Sequence, residues 1–340
     1  MRTIRLFVAA LCLLSLPLFA QDASIAKTRP NVKVLKEVTE YELFLEMNIL
    51  ADALGVHCDY CHVKAGTKWM WADDSKPSKA KGLQMISMTR GLNESNFHGA
   101  NRVTCYTCHR GSLDPARIVP NPPLEVEERT GHRPVETLPT AQQVLAHYMT
   151  AVGAPAEAKA VHMSGTIDRS EGRKDTFDLS MRGDEKAHME LKTADGVVEQ
   201  TLDGKTASIR VKDKLTDLTG RSYDRVKDSF AMYAPVKVRD SVDQLKVIGT
   251  EVIDGRKTYV VRIGTDEAVK RNLYFDATSG LLVRKLTIRE TSFLPLLDQI
   301  DFSDYRDAGG IKVPFVIVTS DGAPYDTATR RMKEVKFESD

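Results

Sequence analysis

Two pentapeptides carry the chemistry of this chain: Cys58-Asp59-Tyr60-Cys61-His62 and Cys105-Tyr106-Thr107-Cys108-His109. Both read C-x-x-C-H, an arrangement suited to covalent capture of a haem. The two thiols add across the vinyl groups as thioethers, and the histidine that follows reaches the iron. The spacing is short because both sulfurs and the imidazole must meet one rigid macrocycle. Four of the chain's five cysteines lie in these motifs; only Cys12 does not. A disulfide scaffold would leave the paired histidines unexplained. Zinc knuckles of this kind sit about 15–20 residues apart, whereas residues 62–104 separate the two pairs here. The expected cofactors are therefore two covalently bound haem c groups. Cys58, Cys61, Cys105 and Cys108 would attach them, and His62 and His109 would be the proximal ligands.

The elements that must position these motifs also repeat. Thr39-Glu40-Tyr41-Glu42 predicts a capping box, and Leu43, Phe44, Met47, Leu50, Ala51 and Leu54 form one helical stripe behind it. Gly55 suits the helix stop. Pro77-Ser78 opens a second helix with Met85, Met88 and Leu92 on one face, followed by a loop from Asn93 to Arg102. Helix with methionine, loop and C-x-x-C-H thus occurs twice, which reads as an internal duplication. Each unit can supply a proximal histidine and a distal methionine, a pair that raises the potential and leaves no open position for substrate. His57 and His98 are alternative distal ligands. Trp69 and Trp71 either shield a haem edge or pack beside it.

The stretches Gly55-Val56-His57-Cys58-Asp59-Tyr60-Cys61-His62, Lys79 to Arg90, Asn93, and above all Val103-Thr104-Cys105-Tyr106-Thr107-Cys108-His109-Arg110-Gly111 resemble the multihaem cytochrome c subunit of photosynthetic reaction centres. The resemblance covers about residues 35–112. That family carries four haems where this chain has two attachment motifs. The resemblance implies Met47 as distal ligand of the first haem and Met85 of the second, with Met88 as the fallback for Met85. It also implies single-electron transfer between a redox donor and an acceptor protein, in contact with a membrane electron-transfer complex.

At the N-terminus, Arg2 and Arg5 precede the apolar run Leu6–Leu16 and Pro17-Leu18-Phe19-Ala20. This predicts a signal peptide over residues 1–20, cleaved after Ala20, and hence a periplasmic protein; an uncleaved anchor is the alternative. Cys12 leaves with the signal. The whole chain has a formal charge of +1, and loss of two arginines would make it −1. Neither value suits a nucleic-acid partner. Residues 21–38 form a polar lead-in and residues 39–112 the dihaem module.

Residues 113–139 are rich in proline and predict a linker. Thr140–Gly153 then reads as one capped helix, and beyond it the apolar period changes to two. Val161, Met163, Gly165 and Ile167 alternate, as do Tyr259, Val261 and Ile263. Asp203-Gly204, Asp254-Gly255, Ser279-Gly280 and Gly309-Gly310 mark hairpin turns. Residues 140–340 are therefore expected to form an antiparallel half-barrel with that single helix on its concave face. The stretches Tyr274 to Leu282 and Asp301 to Phe315 are similar to LolA-like lipoprotein carriers, which implies a lipid or other apolar ligand; a plain packed core is the simpler alternative. His147, His162 and His188 are too scattered to form a catalytic or metal set. The fold class is thus α+β in two domains, a small helical dihaem module followed by a β-rich one. Its expected role is electron carriage rather than catalysis. A dihaem peroxidase or oxidase, and a ligand-binding half-barrel with a redox module, are the rival readings.

Overall fold

Thr39 starts the first helix as its sequence predicts. In the computed structural model, Glu42 N donates to Thr39 Oγ1 at 3.2 Å and Thr39 N donates to Glu42 Oε2 at 2.9 Å. The structure describes residues 25, 29, 31–66, 68–115, 137–153, 160–169, 172–183, 186–231, 245–264, 269–291, 293–321 and 327–338. The expected signal peptide and most of the lead-in and linker lie outside these residues.

Helix α1 (Glu40–Leu54) ends at Gly55, whose left-handed φ of 65° suits glycine. A single turn, α2 (Cys58–Cys61), and a small hairpin of β1 (Val63–Ala65) and β2 (Lys68–Met70) follow. Helix α3 (Pro77–Phe97) begins with proline in its first turn, where the missing N–H costs nothing. It continues through Asn93 to Phe97, past the loop start expected there. The turn α4 (Cys105–His109) completes the helical part.

The apolar pattern predicts the buried faces of α1 and α3 only in part. Helix α1 buries Leu45, Glu46, Asn48, Ala51 and Ala53, while Phe44 is 45% exposed. Helix α3 buries Ile86, Thr89 and Asn93, while Met88 is 49% and Leu92 41% exposed. Met47 and Met85 are half-buried. In α3 the methionine stripe is offset from the packed face, whereas in α1 Leu43, Met47 and Leu50 pack against a buried cluster.

The rest is one antiparallel sheet of thirteen strands among the described residues. Strands β3 (Ala160–Arg169), β4 (Lys174–Arg182), β5 (Lys186–Thr193), β6 (Gly196–Asp203), β7 (Thr206–Val211) and β8 (Lys214–Leu218) form one meander. Strands β9 (Leu245–Ile253), β10 (Arg256–Ile263), β11 (Val269–Asp276), β12 (Leu282–Arg289), β13 (Leu296–Asp307), β14 (Lys312–Asp321) and β15 (Thr327–Glu338) form the other. The meanders join where β3 pairs with β15, from Ala160 opposite Glu338 to Arg169 opposite Ala328. Two helices pack into its core, not the single one expected: α5 (Ala141–Val152) and α6 (Gly220–Ala231). Val144, Tyr148 and Val152 of α5 and Val226 and Phe230 of α6 are buried with Leu179, Val261 and Phe275 from the strands. Tyr148 meets the Phe275 ring edge-on at 5.3 Å. Helix α6 escapes a periodicity reading because its apolar residues are few among charged ones.

The helical part and the sheet share a core. Phe293 and Leu294, from the loop between β12 and β13, are buried in a cluster with Ile25, Leu35, Val38, Ala53, Ile86 and Cys105. Thr291 Oγ1 lies 2.9 Å from Glu46 Oε1, and Asn101 Nδ2 donates to Thr291 O at 2.8 Å. The tip of a sheet hairpin thus completes the packing of the helices.

Candidate functional site

The first pentapeptide is a single helical turn closed by His62 N donating to Cys58 O at 2.9 Å. Helix α3 packs against it. Ser78 Oγ donates to Tyr60 O at 2.5 Å, and Lys76 Nζ donates to Asp59 O. Cys58 is exposed, and Cys61 and His62 are half-buried. The β1–β2 hairpin brings two indoles alongside: Trp69 and Trp71 stack at 4.8 Å, and Trp71 meets the His62 ring edge-on at 5.0 Å. Lys64 Nζ lies 4.8 Å from the Trp69 ring centre. Burial, then the Lys79 charge, lowers the His62 pKa, with the Trp71 main chain acting the other way. That favours neutral imidazole, the form that binds metal. Burial raises the Cys61 pKa.

The second pentapeptide is held by different means. Asn93 is buried in α3 and clamps the approach strand: its Nδ2 donates to Val103 O at 2.8 Å and its Oδ1 accepts from Val103 N at 2.9 Å. That double bond pattern explains why α3 continues through this residue. Thr104 N donates to Thr107 Oγ1 at 3.0 Å. Cys105 is buried, which pushes its thiol up to about 11, while Cys108 is exposed. His109 Nδ1 lies 3.0 Å from Ser112 O. A carbonyl only accepts, so Nδ1 carries the proton and Nε2 keeps its lone pair for a metal.

The two motifs are locked to each other. Helix α1, which leads into the first motif, packs against α4 of the second. Gly111 N donates to Ala53 O at 2.9 Å. A Cβ on Gly55 would fall 2.2 Å from Gly111 O, so the close approach requires glycine there. All four thiols are free, and no group of three or more His, Cys, Asp or Glu side chains comes together to bind a metal among the described residues.

The donor set fits a covalently held macrocycle on three counts. Each motif offers paired thiols and an adjoining imidazole on one turn. His109 is already oriented with Nε2 available. Large apolar side chains also stand exposed in this helical part: Phe44, Tyr60, Met70, Trp71, Met88, Leu92, Phe97 and Tyr106. Met47 packs against the buried cluster that includes Ala53 and Cys105, and Met85 is half-buried with exposed Met88 one turn beyond it. His57 is the N-cap of α2 and His98 the left-handed C-cap of α3, both at the surface. The Asn93 clamp, buried Glu46 and the Thr291–Leu294 loop tip were not identified by sequence reasoning. The apolar run from Phe293 to Leu297 between two strands was the available signal for the last.

Glu46 is fully buried beside Met47, and burial raises its pKa to about 7, partly offset by the Thr291 hydroxyl. Its Oε2 has no hydrogen-bond partner. On the exposed side of the first motif, Asp74 sits between Lys33 at 2.6 Å and Lys79 at 2.8 Å, which hold its carboxyl down near 2.

Residues 14–153 match the family model described as the photosynthetic reaction centre cytochrome C subunit. The corresponding subunit of Rubrivivax gelatinosus is 37% identical over 92 residues, 26% of this chain and 24% of that protein. That of Thermochromatium tepidum is 35% identical over 89 residues, 25% of this chain and 21% of that protein. The chain therefore spans about a quarter of the length of the curated relatives it matches. Among solved structures, a LolA superfamily protein from Nitrosomonas europaea is similar with a TM-score of 0.42 and 14% identity, over 59% of this chain and 95% of that one. A DUF1329 family protein from Desulfovibrio piger has a TM-score of 0.41 and 10% identity, over 58% and 91%. No helix among the described residues is long and apolar enough to cross a membrane.

Proposed function

We propose that this chain is a dihaem c-type cytochrome that carries single electrons between redox proteins on the periplasmic side of a membrane. The observation that carries the reading is the exposed apolar flank that accompanies the two C-x-x-C-H turns. Helix α3 buries Ile86, Thr89 and Asn93 and leaves Met88 and Leu92 exposed, α1 leaves Phe44 exposed, and Met47 and Met85 are half-buried. Leaving such side chains in water forgoes about 1.5–3 kcal/mol apiece. A macrocycle seated against that flank recovers it.

In this reading Cys58 and Cys61 hold the first haem and Cys105 and Cys108 the second. His62 and His109 bind the irons from the proximal side. Met47 and Met85 bind from the distal side, with Met88 as the fallback for Met85. When bound, the haem iron supplies a one-electron couple. The protein supplies closed coordination, a fixed spacing between sites through the Gly55–Gly111 contact, and an apolar wall that excludes water. The similarity to reaction-centre subunits supports a donor and an acceptor protein, with docking to a membrane electron-transfer complex. The sheet acts as the scaffold on which the helices complete their core.

The test is expression with the haem-attachment machinery, followed by intact mass and pyridine haemochrome measurement. Two covalent haems per chain are expected, and fewer than two would defeat the reading. Met85→Ala and Met88→Ala, made separately, should differ in the near-infrared methionine–iron band. Half of its intensity should be lost in Met85→Ala and none in Met88→Ala.

A further inference from the structure

The two proximal histidines sit in unlike settings although their motifs are duplicated. His109 gives its Nδ1 proton to Ser112 O at 3.0 Å. The Nδ1 of His62 is buried and has no hydrogen-bond partner. The Trp71 main chain approaches the His62 ring without completing hydrogen-bond geometry at Nδ1, its carbonyl accepts from Lys79 Nζ at 2.7 Å, and the Trp71 ring meets the imidazole edge-on.

We propose that this asymmetry makes the His62 site the higher-potential of the two haems, so that an electron shared between them resides at the first site. The proposal rests on the dihaem reading above. An imidazole whose Nδ1–H is given to a carbonyl is a more electron-rich ligand and favours ferric iron. His109 makes that bond at 3.0 Å, whereas His62 has only the weaker approach to the Trp71 main chain. Nearby charge acts in the same direction. Lys76 Nζ reaches the Asp59 carbonyl inside the first motif. Lys79, whose side chain is only 14% exposed, bonds the Trp71 and Asp73 carbonyls beside it. A poorly screened ammonium favours the less positive, ferrous state. Asp74 offsets part of this, but it is shared between Lys79 and Lys33. At the second site the neighbouring cations, Arg102 and Arg110, are exposed and better screened. The exchange is balanced: the second site gives up one electron and the first accepts it, with no bond made and no proton moved.

Spectroelectrochemical titration of the haem-loaded protein tests this. Two one-electron waves are expected, separated by at least tenfold in occupancy, which is about 59 mV for a one-electron couple. Cys58→Ala/Cys61→Ala, which retains only the second haem, should lose the upper wave. Loss of the lower wave, or a single unresolved wave in the parent protein, would overturn the proposal. If the double variant does not fold, Lys79→Gln in the two-haem protein decides. It should lower the upper wave alone; no shift, or a shift of the lower wave, refutes the ordering. A mass showing fewer than two haems would instead defeat the dihaem reading, so the two failures are distinguishable.

Discussion

Glu46 makes the fold sensitive to pH in a direction opposite to that of most carboxylates. Its pKa is about 7 in the folded chain against an ordinary 4.5, with burial the largest cause. Between those values the folded state holds one more proton than the unfolded state, so stability falls as pH rises. The loss should be negligible below about pH 4.5, proceed at roughly 1.4 kcal/mol per pH unit, and level off above about pH 7, giving about 3 kcal/mol in all. The physical origin is burial of the carboxylate, which the Thr291 hydroxyl offsets only in part because its one hydrogen is shared: Thr291 Oγ1 lies 2.9 Å from Glu46 Oε1 and 2.6 Å from Leu294 O. Glu46→Gln keeps the shape and removes the charge. Guanidinium denaturation of the haem-loaded protein, followed by far-ultraviolet circular dichroism at pH 5 and pH 8, should show the variant gaining about 2.5 kcal/mol on the parent between the two. Asp74, held near 2, titrates below this window. A parent–variant difference that is the same at both pH values would refute the argument.

Phe293→Ala removes a fully buried ring from the cluster that joins the sheet to the helices, and should cost about 3–5 kcal/mol in the same denaturation assay. Asn93→Ala leaves the Val103 N–H and carbonyl without their partners and should cost about 1–3 kcal/mol. Mass spectrometry of that variant should show the second haem incorporated less fully than the first.

Much of the fold is legible in single residues. Thr39 with Glu42, and Thr140 with Gln143, mark helix starts that form as read, because a hydroxyl and a side-chain acceptor satisfy orphan amides locally. Asp203-Gly204 and Asp254-Gly255 fall between paired strands for the same local reason. Helix α6 is not legible: Val226 and Phe230 supply its buried contacts amid Arg221, Asp224, Arg225, Lys227 and Asp228. The attachment motifs are plain, yet the orientation of α1 and α3 is not. A side chain on a partly open face and one in the core are equally apolar, so half-buried Met85 and buried Ile86 look alike until their surroundings are known. Glu46 is the converse case, an acidic residue that a stripe analysis assigns to solvent and tertiary packing buries.

The loop carrying Thr291 to Leu294 also sets a clock on assembly. Glu46 and Thr291 lie 245 residues apart in the chain, and Cys105 is buried in the cluster that Phe293 and Leu294 complete. At about 5–20 residues per second, synthesis of that intervening length takes roughly 10–50 s. Throughout that interval the helices lack their final wall, and the Cys105 thiol lacks the apolar cover that Phe293 and Leu294 supply. The late arrival of the hairpin tip therefore orders the folding: the helices are made first, and the tip closes the core over Cys105 last.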